Sequence, residues 1–160
     1  MELTTIAERT GLAPRLLRYV VYHGVLPGVE RLGPAGQGAA RNYTPFEAFG
    51  IAVSAMLLDA GLKRAAVQAC LAILCRKLPR GPVAVSAIPL LGAMHSGSTV
   101  RIEVADARYV RLRIEGGTAP PYLKDTGWLA PKGSPPPPAD YDPVVVVSLN
   151  PTTKRNALLR

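Results

Sequence analysis

Between Gly11 and Pro14 the chain has room for little except the end of one helix and the start of another. Glycine adopts the left-handed conformation with which helices commonly stop, and proline is tolerated at a first helical position, where its missing N–H is no loss. Ahead of Gly11, Thr5-Ile6-Ala7-Glu8 has the spacing of a capping box, which predicts a helix start at Thr5. After Pro14 the string Arg15-Leu16-Leu17-Arg18-Tyr19-Val20-Val21-Tyr22 runs into His23-Gly24-Val25-Leu26-Pro27, which closes the second helix. Leu17, Val20 and Val21 read as its packed face, and His23 as a packed or turn-capping residue. Two helices joined by a glycine turn, the second bearing Arg15, Arg18 and Tyr19, form the pattern of a helix-turn-helix DNA reader.

Residues Gly28 to Asn42 follow, with Gly33, Gly36 and Gly38 and with Arg31 and Arg41 as the cations. No Gly-Lys-Ser/Thr ends this loop, so it is not a phosphate-binding nucleotide loop. A wing or hairpin tip fits better, with Arg31 or Arg41 laid along a nucleic-acid backbone or in a minor groove. Tyr43 is expected to pin the base of the wing, its hydroxyl within reach of a phosphate. Thr44-Pro45-Phe46-Glu47 is a second capping box, opening a helix whose Phe46, Phe49, Val53, Met56 and Leu57 recur at helical spacing up to Gly61. A further helix from Lys63 to Leu78 carries Val67, Cys70, Leu71 and Leu74 on one side, with Arg64 near its start as a solvated charge or a DNA contact.

Leu17-Arg18-Tyr19, Gly24-Val25-Leu26-Pro27 and Arg41-Asn42-Tyr43 stand in the order found in MerR-type winged-helix transcription regulators, which the chain resembles up to about Leu78. The resemblance implies a winged helix-turn-helix domain in which Arg18 and Tyr19 meet DNA phosphates. It also implies dimers on near-palindromic sites. Val20 and Val21 depart from the Tyr and Glu usual there, His23 replaces an aliphatic residue, and the loop before Arg41 is longer. The family's long dimerising helix is not carried over, because Pro79, Gly81, Pro82 and Pro89 break any such helix. Metal sensing is not carried over either. No cysteine follows Cys75, and Cys70 and Cys75 point about 140° apart on a helix.

The second half changes character. Val85 to Met94 reads as a short apolar helix. Thr99 to Glu115 alternates as an antiparallel hairpin: Val100, Ile102 and Val104, then Val110, Leu112 and Ile114. A three-residue loop, Asp106 to Arg108, pairs Val104 with Val110 and keeps the apolar faces together. The other face shows Arg101, Arg111 and Arg113 beside Glu103 and Glu115, either a nucleic-acid surface or partly compensated charge. Lys124 to Leu129 reads as a short strand around Trp128, and Lys132 to Ala139 as a proline-rich linker. Pro143 to Leu149 is an apolar strand expected to join the hairpin, since an isolated hairpin is marginal, or to pair with a partner chain as a dimer interface.

The expected organisation is α+β: a winged helix-turn-helix domain over residues 1–78, a Pro/Gly-rich connector with a short helix over 79–98, and a small β-rich domain over 99–160. The composition of the 160 residues, 48% apolar with 15 Gly and 16 Pro, supplies a core with many breaks. No apolar run approaches the roughly 18 to 20 residues that span a bilayer, and no signal segment opens the chain, so a cytoplasmic protein without membrane contact is expected. A net charge of +8, with +5 up to Arg80 and +3 beyond, favours a polyanionic partner. No nucleophile, acid pair or metal-ligand spacing stands out, so neither enzyme nor cofactor chemistry is expected. The reading is a sequence-specific regulator binding double-stranded DNA as a homodimer through Arg15, Arg18, Tyr19, Arg31, Arg41 and Tyr43, with any effector unknown. The alternatives are an architectural or excisionase-like DNA binder, and a protein-interaction module.

Overall fold

A computed structural model describes residues 1–28, 41–80, 85–96, 98–116, 121–135, 143 and 145–149. The fold is α+β, with helices and an antiparallel sheet sharing one contiguous apolar core. Helix α1 (Leu3–Thr10) begins three residues earlier than a capping box with Thr5 as N-cap suggests. Its N-cap is Glu2 and no side chain caps it, so the Thr5–Glu8 capping box does not form and Thr5 lies inside the helix. The Ile6 N–H already bonds the Glu2 carbonyl at 3.0 Å, and Ile6, Ala7 and Thr10 are the helix's buried residues. Gly11 ends α1 as expected, at φ 69° with its N–H on the Ala7 carbonyl.

Helix α2 (Pro14–Tyr22) starts at its proline and buries Leu17, Val20 and Val21. Gly24, at φ 57°, terminates it in a Schellman arrangement. The Val25 N–H bonds the Val20 carbonyl at 3.0 Å and the Gly24 N–H bonds that of Val21 at 3.1 Å. Val25 and Leu26 are thereby thrown inward and buried. Leu26 lies against the backbone of α3 (Pro45–Asp59) at Gly50, where a Cβ would stand 2.7 Å from its methyls. The capping box predicted at Thr44 and Glu47 is present in both halves. Because α3 is buried around most of its circumference, it packs against α1, α2, α4 and α5 rather than along a single stripe.

Helix α4 (Arg64–Leu74) stops short of the predicted Leu78. Leu78 precedes Pro79, which disfavours helical backbone, and Leu78–Arg80 forms strand β1 instead, paired antiparallel with β2 (Val85–Ala87). The apolar helix expected over Val85 to Met94 is accordingly shorter, α5 (Pro89–His95), again opened by a proline. Strands β3 (Thr99–Ala105) and β4 (Tyr109–Glu115) form the expected hairpin with Val104 opposite Val110. As expected, β5 (Val145–Leu149) joins it, on the far side of β3, giving the order β4-β3-β5. Buried Val100, Ile102, Leu112, Ile114 and Val147 form the face that continues the helical core.

The strand expected around Trp128 is only partly realised. Residues Pro121–Lys124 form a helical turn, α6, whose Leu123 fits over Gly92 of α5. Asp125 and Leu129 then bridge Arg113 and Val110 on the free edge of β4, and Gly127, at φ 62°, takes up one extra residue as a bulge. The Thr126 hydroxyl accepts the Leu112 N–H at 3.0 Å, replacing a carbonyl in the ladder. The second half of the proline-rich linker, from residue 136, and the final residues fall outside the described residues.

The β3–β4 turn holds Asp106 and Ala107 at φ 49° and 53°, a region costly for any residue with a Cβ. Ala107→Gly should raise stability by about 0.5–1 kcal/mol in urea unfolding, because glycine enters this region freely. The Asp125 carboxyl is held down to about 2 from its ordinary 3.8, chiefly by the Arg111 hydrogen bond and also by the Gly127 N–H and the charge of Arg113. Its contribution to stability is therefore complete above 3.8 and lost as pH falls through about 2. Asp125 is 40% exposed, so solvent screening keeps that contribution modest. The thermal midpoint should drop in this window, and Asp125→Asn should flatten that part of the profile.

Candidate nucleic-acid interface

Burial of Leu17, Val20 and Val21 turns the opposite side of α2 to solvent, and Arg15, Arg18, Tyr19 and Tyr22 occupy it at positions i, i+3, i+4 and i+7. Tyr22 is 63% exposed and Tyr19 40%. Both rings meet His23 at the helix end, with centroids 4.3 Å away for Tyr19 and 5.1 Å for Tyr22. His23 in turn lies 3.1 Å, through Nδ1, from Arg64 Nη1 at the start of α4. An arginine only donates, so Nδ1 is the acceptor and carries no proton in this contact. One residue further, the Gly24 carbonyl accepts from Gln68 Nε2 at 3.2 Å. Helix α4 is thus tied to the end of α2.

A groove of about 640 Å³ runs between these helices, with Arg15 and Tyr19 contributed by α2 and Lys63 and Arg64 by the start of α4. Leu16, Leu58 and Leu62 supply its apolar lining and Asp59 its carboxylate. Ala13 and Lys63, the N-caps of the two helices, both line it, and neither helix start is capped by a side chain. Two positive helix ends and three cationic side chains therefore converge against one acid, a field that favours a bound anion.

The predicted residues divide among three settings. Arg15, Arg18 and Tyr19 share the exposed face just described. Arg31 lies outside the described residues, as does most of the expected wing. Arg41 is half-buried, 4.0 Å from Glu47 and 5.4 Å over the Tyr43 ring. Tyr43 is only 3% exposed and exchanges two backbone hydrogen bonds with Met1, at 2.7 and 2.8 Å. It is packed, as the sequence suggests, with its hydroxyl buried, while most of the wing it was expected to pin lies outside the described residues. Burial raises the pKa of that hydroxyl, against the lowering effect of Arg41.

Sequence reasoning passed over Tyr22 and Lys63 and left Arg64 open as a solvated charge or a DNA contact. The helical spacing of Tyr22 from Arg15 and Arg18 was available as a signal. The approach of α4 to α2 was not, because it is a tertiary contact between residues 41 apart.

The arginines of the sheet's outer face behave differently. Arg111 grips Asp125 with two hydrogen bonds, and Arg113 lies 3.3 Å from Asp125 and 3.5 Å from Glu103. Arg101 Nε stands 2.9 Å from Glu103, out of line for a hydrogen bond. Two carboxylates thus hold three guanidinium groups, and Glu103 is buried among them. Compensated charge describes this face. The thiols of Cys70 and Cys75 are pushed up to about 11 by burial and remain protonated. Among the described residues no helix is long and apolar enough to cross a membrane.

No protein-family description, curated protein or solved structure matches this chain.

Tyr43→Phe should leave the thermal midpoint unchanged or raise it, since the buried hydroxyl has no partner among the described residues. A loss of about 1 kcal/mol or more would instead reveal a hydrogen bond made by that hydroxyl.

Proposed function

We propose that this chain is a sequence-specific regulator that binds double-stranded DNA, working as the MerR-type resemblance of its N-terminal half implies. The observation that carries the reading is the exposed face of α2, where Arg15, Arg18, Tyr19 and Tyr22 stand beside Lys63 and Arg64 of α4. A helix of nine residues is long enough to lie in a major groove, and its N-terminal side chains are the ones that meet base edges. Arg15, in the first turn, is the base reader, most naturally of guanine. Arg18 and the Tyr19 hydroxyl take phosphate oxygens and set the register. Lys63, Arg64 and the two uncapped helix ends grip the neighbouring phosphates, while Arg31 and Arg41 carry the wing along the flanking backbone.

Selection from a random duplex pool, followed by binding across a salt series, tests this. Enrichment of a two-fold symmetric site, with log affinity falling linearly in log salt, is the expected result. Arg18→Ala should weaken binding to all sequences and reduce the salt slope by about 1. Arg15→Ala should cost about 1–3 kcal/mol at particular base pairs and leave the others unchanged. Asymmetric or tandem enrichment would indicate an architectural binder, and absence of salt-dependent binding would remove DNA as the partner.

A further inference from the structure

We propose that two copies of this chain associate through the outer edge of β5, pairing antiparallel about a two-fold axis at Val147. The two ends of the sheet are treated unequally. The edge of β4 is covered by residues 125–129, with a glycine bulge and a threonine hydroxyl that interrupt the ladder. The outer edge of β5 has no partner strand among the described residues. Such an edge presents a row of N–H and C=O groups, and monomeric proteins blunt it with Lys, Pro, bulges or inward charges. Val145–Leu149 has none of these. It reads Val-Val-Val-Ser-Leu, and its ladder to β3 runs five pairs without a bulge. Val146 is 40% exposed, one of the few large apolar side chains left in solvent among the described residues.

The occupant that fits is the strand itself. A two-fold axis normal to the sheet keeps every side chain on its own face, so a residue can meet only a partner of the same parity. Centring the axis on Val147 pairs the whole strand: Val145 with Leu149 of the second copy, Val146 with its Ser148, Val147 with its counterpart. Centring it on Val146 or Ser148 shortens the ladder. A charged strand brought against its own copy places like charges near the axis, which is destabilising, and β5 carries no charge. The resulting sheet is continuous, with order β4-β3-β5 followed by β5-β3-β4 of the second copy. The association stands on the edge alone and goes beyond the DNA reading, to which it would lend a second helix for a symmetric site.

Mass in solution, measured by light scattering or sedimentation over a concentration series without DNA, tests the pairing. The wild-type chain should reach twice its 17.0 kDa. The double variant V146K/S148K sets lysines against each other at both outer-face pairs and should weaken the dimer at least about 10-fold. The variant V146K/S148E, which sets lysine against glutamate in the same register, should restore it. Both positions are exposed, so the fold is retained, and a thermal melt of each variant verifies this. A wild-type chain that stays at 17.0 kDa overturns the proposal, as when the chain's own C-terminal residues fill the edge. A dimer indifferent to both variants, or weakened equally by both, also overturns it. Since no DNA is present, a failed DNA reading leaves this result untouched, and a monomer that binds DNA sinks only the pairing.

Discussion

Helix α3 is buried on nearly every side from Ala48 to Leu57, and a helix without a solvent face must be enclosed by other elements. That requirement positions the rest of the helices. Helices α1 and α2 cover one side, with Ile6, Leu17, Val20 and Val21 turned toward it, and α4 and α5 cover others. Leu26 closes the α2 side by lying directly on the α3 backbone, which only a residue as small as Gly50 permits at that approach. Once the inner face of α2 is committed to this packing, the direction of Arg15, Arg18, Tyr19 and Tyr22 is decided. Their exposure follows from burial on the opposite side and needs no interaction of their own.

The same capping geometry appears twice and builds the groove. Gly24 ends α2 and Gly61, at φ 95°, ends α3, each with the following residue bonded back to the carbonyl five positions earlier. At Gly24 the chain turns inward to deliver Val25 and Leu26 to the core. At Gly61 it turns back so that α4 starts beside α2, which brings Lys63 and Arg64 to Arg15 and Tyr19. The Arg64–His23 and Gln68–Gly24 hydrogen bonds then fix the separation. A glycine in the left-handed region is the local cause, and a cationic groove is the tertiary consequence.

Much of this was legible in the sequence, and the misses share a physical origin. Gly11, Pro14, Thr44 with Glu47, and the β3–β4 register act through bonds a few residues long or through strict alternation, so they can be read directly. Thr5 and Glu8 satisfy the same local rule as Thr44 and Glu47, yet a turn closed by the Ile6 N–H on the Glu2 carbonyl takes Thr5 into the helix and leaves it no cap to make. The α4 boundary was misplaced because helical apolar spacing extends to Leu78 while Pro79 acts on the residue before it. For the candidate interface, the side chains of α2 were legible from helical spacing. Lys63 was not, since its place beside Arg15 depends on how α3 and α4 meet. Tyr43 was readable as a packed residue, whereas its main-chain hydrogen bonds to Met1, 42 residues away, were not.

The contrast between the two sets of arginines bears most directly on what the chain does with its net charge of +8. On the sheet, Glu103 and Asp125 sit between Arg101, Arg111 and Arg113, and the cations are spent on one another's counter-ions within the fold. On α2 and at the start of α4, Arg15, Arg18 and Lys63 have no acidic partner within salt-bridge range among the described residues, and Arg64 meets a neutral imidazole nitrogen. Unpaired cations at close range repel, which weakens the compact state unless an external anion relieves them. Evenly distributed or paired charge would serve solubility equally well without that penalty. The concentration of these cations beside two uncapped helix ends and two exposed tyrosines is the feature from which the proposed DNA reading is argued.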